Sequence, residues 1–331
     1  MGLFDRASAT ANDFFGVLRQ VRVDEILGEA ERPFHIAVVG SPGSGKSTLA
    51  GRLAAGTYGS VLEPFGLRRL IEYSLPLSPQ MLQSVCDCDL VIWLQDVTAP
   101  RVDDTFTFLR AQAPAFLHVA NKADLLVGDW PQVRRDVVLL SAHSTEDVTT
   151  HLVPAILDAL PEHGLALGRN FSIFRPTVAE REVQRVARVN AEVAVLSAIP
   201  QATLLLGPAS AVADTLVLTK NQAVLLLRLA AMCGLEVNRA RLLELLPVIG
   251  AAFGWRSLAR ELVGFLPAGV GVVPKAAIAY AGTVAIGKAA AWYYQTGRRL
   301  PEAQVRQIYA ESSARAKDLV REITTRLRRA G

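Results

Sequence analysis

Phe34-His35-Ile36-Ala37-Val38-Val39-Gly40-Ser41-Pro42-Gly43-Ser44-Gly45-Lys46-Ser47-Thr48 is an apolar run closed by a glycine-rich turn that ends in Lys-Ser-Thr. The apolar half reads as a buried strand, and Gly40 to Ser47 is a complete Gly-x-x-x-x-Gly-Lys-Ser phosphate loop in the strand-loop-helix setting that the motif requires. Gly40, Gly43 and Gly45 allow turns that a β-carbon would block, so successive N–H groups can face a phosphate. The whole loop, Gly40, Ser41, Pro42, Gly43, Ser44, Gly45, Lys46, Ser47 and Thr48, is expected to hold the phosphates of a nucleotide. Lys46 brings a mobile positive charge to the β and γ phosphates, and the Ser47 hydroxyl can complete the octahedral shell of a magnesium ion. The helix predicted from about Ser47 to Ala55 aims its positive end at the same anion.

Two further strand ends lie downstream. Asn121-Lys122-Ala123-Asp124 follows the apolar run Phe116 to Ala120, and Ser141-Ala142-His143 follows Val137 to Leu140. Ligands of open α/β sheets sit at the carboxyl ends of strands, so both turns are placed to meet what the loop holds. The Asp124 carboxylate can accept from the N1–H and the exocyclic amino group of guanine, a donor pair that adenine lacks at that edge. Asn121 and Lys122 would brace this turn, with the Lys122 stem along the base, and the Ala142 N–H could meet the guanine oxygen.

With these elements in this order the chain resembles the Ras-like GTPase superfamily, and in particular its Era-like bacterial branch. The proline within the phosphate loop is similar to that branch, as are Asn121 to Asp124 and Ser141 to His143; His143 stands where the family more often has lysine. The resemblance covers roughly residues 33–161. It implies a P-loop GTPase-like open α/β sheet with helices on both faces, GTP or GDP with Mg2+, and hydrolysis by positioning and charge neutralisation from Lys46 and Ser47.

The chain also departs from that pattern. Such GTPases carry Asp-x-x-Gly after the third strand, and here the stretch reads Ile71-Glu72-Tyr73-Ser74-Leu75-Pro76-Leu77. Thr57 is the only threonine between Thr48 and Thr98, and it is unusually close to the loop for a switch threonine. From Lys46 to Tyr73 the chain is short for the usual switch loop and hairpin. Leu90-Val91-Ile92-Trp93-Leu94-Gln95-Asp96 has the form of a Walker B strand, which makes Asp96 a metal candidate beside Ser47. The alternative for Asp96 is a strand-end turn capped at Thr98. Glu72 is another metal candidate, against the reading of a solvated acid at a strand edge.

At 331 residues the chain is long enough for two domains, and the GTPase-like stretch uses only the first half. A net charge of +4 is too dilute to indicate nucleic acid. Its three cysteines, Cys86, Cys88 and Cys233, offer neither a disulfide framework nor a paired metal motif, which fits a reducing cytosol. Before the loop, Leu3, Phe4, Ala7, Ala11, Phe14, Phe15, Leu18 and Val21 line one helical face, while Asp5, Arg6, Asp13 and Arg19 interrupt the apolar core that a cleavable signal needs.

Beyond Pro161, Glu162-His163-Gly164 and Gly168-Arg169-Asn170 mark a linker, and from about Thr177 the pattern becomes helical. A first helix runs through Val183 to Leu196, a longer one over Ala209 to Met232, shorter ones over Leu242 to Phe253 and Ser257 to Phe265, and a terminal helix through Val305 to Leu327. Within Ala276 to Tyr294, Ile278, Val284 and Ile286 would each favour membrane insertion by about 0.3–0.6 kcal/mol, whereas Lys288 would oppose it by about 2.5–3.5 kcal/mol. A stable span is therefore not expected; Ala277, Ala281, Ala285 and Ala289 instead form a small-residue stripe suited to close helix packing. Trp292-Tyr293-Tyr294 followed by Arg298-Arg299 has the form of an interfacial anchor with a basic flank. This half resembles a helical domain of unknown function found behind GTPase domains in many bacteria and cyanobacteria, some members of which are membrane associated. The likeness rests on Asp214 to Gly234 and Ala281 to Tyr294.

The expected organisation is an N-terminal amphipathic helix over 1–32, a GTPase-like nucleotide-binding domain over 33–161, a linker over 162–176 and an all-α domain over 177–331. The expected function is a GTP-binding switch with slow or partner-stimulated turnover, acting through its helical domain on a protein partner or membrane surface. Its expected location is the cytoplasm, peripheral at the inner face of the cell membrane. The alternatives are a scaffold that binds nucleotide without turnover, and a P-loop ATPase using Asp96.

Overall fold

The computed structural model describes residues 21–55, 68–99, 103–126, 136–196, 209–238 and 272–330. The amphipathic stretch before Val21, Thr57 and the short helices expected within 242–265 lie outside the described residues. By its internal contacts the chain divides into two units, one of Gly28–Val178, the other joining the described residues up to Leu27 with those from Ala179 onward.

The first unit is built on helix α1 (Val23–Ala30, shared with the second unit), strand β1 (Phe34–Gly40), helix α2 (Lys46–Ala54), β2 (Arg68–Ser74), α3 (Pro79–Cys86), β3 (Leu90–Asp96), α4 (Asp104–Gln112), β4 (Phe116–Asn121), β5 (Val137–Leu139) and α5 (Val153–Ala159). The five strands form one parallel sheet in the order β2-β1-β3-β4-β5. Parallel strands are joined by crossovers that cover both sheet faces, and β1 and β3 accordingly bury nearly every residue. On one face Ala37, Val39, Val91 and Trp93 pack against Val85 of α3 and Phe106 and Leu109 of α4. Side chains alternate along a strand, so Phe34 points the other way, where its ring meets Phe171 at a centroid distance of 6.0 Å. The sheet order turns around at β1: the chain pairs β2 on one side of it and then crosses to β3 on the other. That reversal opens a crevice at the carboxyl ends of β1 and β3, where the phosphate loop begins.

The stretch over 162–176, expected as a linker, is folded. Helix α6 (Gly164–Asn170) buries Leu165, Ala166, Leu167 and Gly168, and Phe174 is fully buried. Gly164 and Gly168 read as loop punctuation in sequence, yet here they are small residues inside a packed helix. The Arg169 and Glu31 side chains pair at 3.3 Å, and the Ser172 hydroxyl donates to Ala55 O at 3.0 Å.

The second unit holds most of helix α7 (Arg175–Leu196), then α8 (Ala209–Met232), α9 (Val272–Thr296) and α10 (Glu302–Ala330). Glu180 meets Lys288 and Asn190 meets Thr283, while Glu182 meets Arg228 and Asn190 meets Asn221. Rising numbers on α7 face falling numbers on α8 and α9, so α7 runs antiparallel to both. The alanine stripe Ala277, Ala281, Ala285 and Ala289 is buried. A β-carbon on Gly287 would stand 2.5 Å from Val183 Cγ2, which is why the helix is bare at that crossing. Ala285 and Ala289 also pack with Val305 of α10. No helix among the described residues is long and apolar enough to cross a membrane.

Polar groups fix the register of this helical packing. The Thr283 hydroxyl, fully buried, donates to Ala279 O and accepts from Asn190 and Gln222; Asn190 in turn accepts from Asn221. Arg228 forks onto Glu182 at 2.7 and 3.1 Å, with both side chains nearly buried. Burial alone would raise the Glu182 carboxyl, but Arg228 and then Arg185 outweigh it and hold it below the usual carboxylate range. Glu182→Ala, which removes the carboxylate from this nearly buried ion pair, is expected to destabilise the helical unit by about 3–5 kcal/mol in chemical denaturation, and Glu182→Met with Arg228→Leu to recover most of that loss. Because the folded-state carboxyl is depressed, its contribution is complete above the ordinary carboxylate range and fades as pH falls toward the folded-state value. Glu182→Gln should flatten the acid limb of the stability profile.

Candidate functional site

The phosphate loop leaves β1 at Gly40 and enters α2 at Lys46. Gly45 has φ +95°, a conformation that side-chain-bearing residues rarely adopt, and a β-carbon there would lie 2.3 Å from Asn121 Nδ2. The first N–H groups of a helix have no intrahelical acceptor. Here the N–H groups of Gly43, Gly45, Lys46 and Ser47 make no hydrogen bond to any described residue. Ser44 is buried, and its Oγ likewise has no partner. The Lys46 ammonium lies along the loop, donating to Ser41 O at 2.9 Å and Gly40 O at 3.2 Å. Burial lowers its pKa, and the nearby Glu72 charge acts in the opposite sense. Unpaired N–H groups, a lysine and the positive end of a helix make a cradle for an oxyanion.

The second and third motifs arrive at the same end of the sheet. Asn121, at the end of β4 and buried, uses its whole amide: Nδ2 donates to Ser44 O at 2.8 Å, and Oδ1 accepts from the Ala142 N–H at 2.8 Å. One side chain therefore ties the phosphate loop to the Ser141-Ala142-His143 turn. Lys122 takes φ +70°, which swings the chain outward and presents Asp124 on the exposed surface. The Ser141 hydroxyl beside Asp124 holds its carboxyl below the usual range, so it is an ionised acceptor at neutral pH. The Ser141 N–H is anchored by Asp147 at 2.9 Å, and His143 O accepts from Arg52 of α2 at 2.7 Å.

The contacts bear on three of the expected roles. The Ala142 N–H, expected to meet a base oxygen, is already committed to Asn121; the His143 N–H makes no hydrogen bond with the described residues and is the free amide of this turn. Asp96, a metal candidate whose alternative is a turn capped at Thr98, accepts from Thr98 N at 2.9 Å, Thr98 Oγ1 at 2.7 Å and Lys122 Nζ at 2.5 Å. Burial would raise its carboxyl, and Lys122 with Thr98 pulls it below the usual range instead. Asp96 thus has the capped strand-end geometry and also anchors Lys122. The acid found on Ser47 is Glu72, whose Oε2 accepts from Ser47 Oγ at 2.6 Å. Nothing in a linear reading favours Glu72 over a solvated edge acid, because the direct pairing of β2 with β1, which places Glu72 opposite Val38, has no local signature.

Lys46, Ser47, the loop amides and a neighbouring carboxylate are groups that fit phosphate and a hard divalent cation held by oxygen. Among the described residues no group of three or more His, Cys, Asp or Glu side chains could hold a metal by itself. Asn121→Asp keeps the acceptor for Ala142 N–H but sets a carboxylate oxygen against Ser44 O. It is expected to cost about 1–3 kcal/mol in denaturation measured without added nucleotide. No protein-family model matches this chain, and it matches no curated protein.

Proposed function

We propose that the chain binds guanine nucleotide and works as a GTPase-type switch of the Era-like kind. The observation that carries the reading is the Asn121 bridge, which brings phosphate loop, Asn121 to Asp124 and Ser141 to His143 together at the sheet's switch point. The loop amides and Lys46 would take the phosphates, and the exposed, ionised Asp124 would select guanine through its paired donors. His143 N–H is the amide available to the base oxygen. Magnesium, when bound at Ser47, would neutralise charge on the β and γ phosphates during phosphoryl transfer. Lys46 would supply the second positive charge, and the chain's own contribution is positioning.

The absence of Asp-x-x-Gly after β2, where Ser74-Leu75-Pro76-Leu77 stands, favours a second reading as a scaffold that keeps nucleotide without turnover. The engagement of Asp96 with Lys122 and Thr98 speaks against the ATPase reading. For the helical unit we favour action on a partner or anionic membrane surface from the cytoplasmic side: Trp292 is 46 % exposed at the end of α9, ahead of exposed Arg298 and Arg299.

The deciding experiment incubates the purified chain with Mg2+ and equal GTP and ATP, then identifies the retained nucleotide by chromatography. Retained GDP supports base choice and hydrolysis, retained GTP supports the scaffold, and adenine nucleotide or none overturns the guanine reading. Lys46→Ala is expected to abolish retention, and Asp124→Ala to bring GDP affinity down to that for ADP. For the helical unit, flotation with anionic liposomes should carry the chain upward, with Trp292→Ala reducing the floated fraction.

A further inference from the structure

We infer that Glu72 is the protein carboxylate that joins Ser47 in holding a divalent cation, and that it makes nucleotide binding depend on that cation. This rests on the nucleotide reading of the loop. Three observations carry it.

The first is distance. A ligand set 2.0–2.1 Å from Mg2+ puts neighbouring octahedral corners about 2.9 Å apart. Ser47 Oγ and Glu72 Oε2 stand 2.6 Å apart, close to that span. Both atoms are hard oxygens, and Mg2+ characteristically takes one or two protein oxygens and completes its shell with substrate phosphate and water. The second observation is placement. The pairing Val38↔Glu72 and Gly40↔Ser74 sets Glu72 two residues before the end of β2, alongside the strand that feeds the loop. Its side chain is exposed and free to turn from a hydroxyl toward a cation. The third is exclusion: Asp96, the other strand-end acid, is held by Thr98 and Lys122.

The same carboxylate has an opposite effect when no cation intervenes. It places a negative charge beside Lys46 and Ser47, where phosphates must enter, so it opposes nucleotide alone and favours nucleotide with metal. A residue that only buttressed the loop would not reverse sign in this way.

The test measures the affinity of a fluorescent N-methylanthraniloyl GDP for the full chain in Mg2+ and in EDTA, for wild type, Glu72→Gln and Glu72→Asp. Mn2+ binding to each GDP complex is followed by electron paramagnetic resonance. Wild type should gain at least about tenfold in GDP affinity from Mg2+. Glu72→Gln should bind GDP in EDTA at least as tightly as wild type, lose most of the Mg2+ gain, and weaken Mn2+ by about 10–100-fold. Glu72→Asp, which keeps the charge, should retain part of the gain. Thermal unfolding by circular dichroism checks that the variants fold, and Glu72→Ala replaces Glu72→Gln if that variant does not. A glutamine or alanine variant with wild-type Mg2+ gain and Mn2+ affinity overturns the assignment, as does wild type binding GDP equally in Mg2+ and EDTA. Wild type with no GDP affinity in either condition overturns the nucleotide reading itself.

Discussion

The buried amide of Asn121 is the interaction on which the candidate site depends. It has one donor group facing Ser44 O and one acceptor facing the Ala142 N–H, so a single side chain satisfies both loops. The alternatives are costly, because a buried carbonyl or N–H left without a partner forfeits its hydration for nothing. Everything else at this end of the sheet follows from that tie. Gly45 must lack a side chain because the amide lies against it, Lys122 must leave the strand in a left-handed turn, and Asp124 is thereby carried out to the surface. The loop is thus shaped by side-chain contacts from the far side of the sheet as well as by its own glycines.

The helical unit is organised by a different balance. Its interfaces are lined with alanine, and apolar contact between small side chains discriminates poorly between neighbouring registers. The Asn190, Asn221, Gln222 and Thr283 cluster and the Glu182–Arg228 fork supply the discrimination, since sliding one helix by a turn would leave several buried polar groups unpaired. Such pairs contribute little net stability compared with apolar replacements, but they penalise the wrong arrangement heavily.

Much of the first unit was legible in the sequence because its signals are local. The strand before the phosphate loop, the strands ending at Asp96 and Asn121, and the helix behind Lys46 each announce themselves within ten residues or so. The long helices over Ala209–Met232 and Glu302–Ala330 were equally plain from their periodicity. What escaped was set by pairing across distance. Glu72 looked like a solvated edge acid because the parallel register of β2 on β1, which brings it to Ser47, has no local signature. The Ala142 amide looked free because its acceptor lies 21 positions away on another strand. The stretch after Pro161 looked like a linker because Gly164 and Gly168 serve equally as loop residues and as the small residues of a tightly packed helix.

The contact between Gly45 and Asn121 also bears on how this chain can change over generations. A methyl group at position 45 has no room while the amide stands at position 121. Shortening position 121 would open that room, but it would cut both loops loose. Room alone would not admit a side chain at position 45, because the φ of +95° there strains any residue but glycine, so each change is harmful with or without the other. One contact thus closes both the phosphate loop and the end of β4 to drift at these two positions.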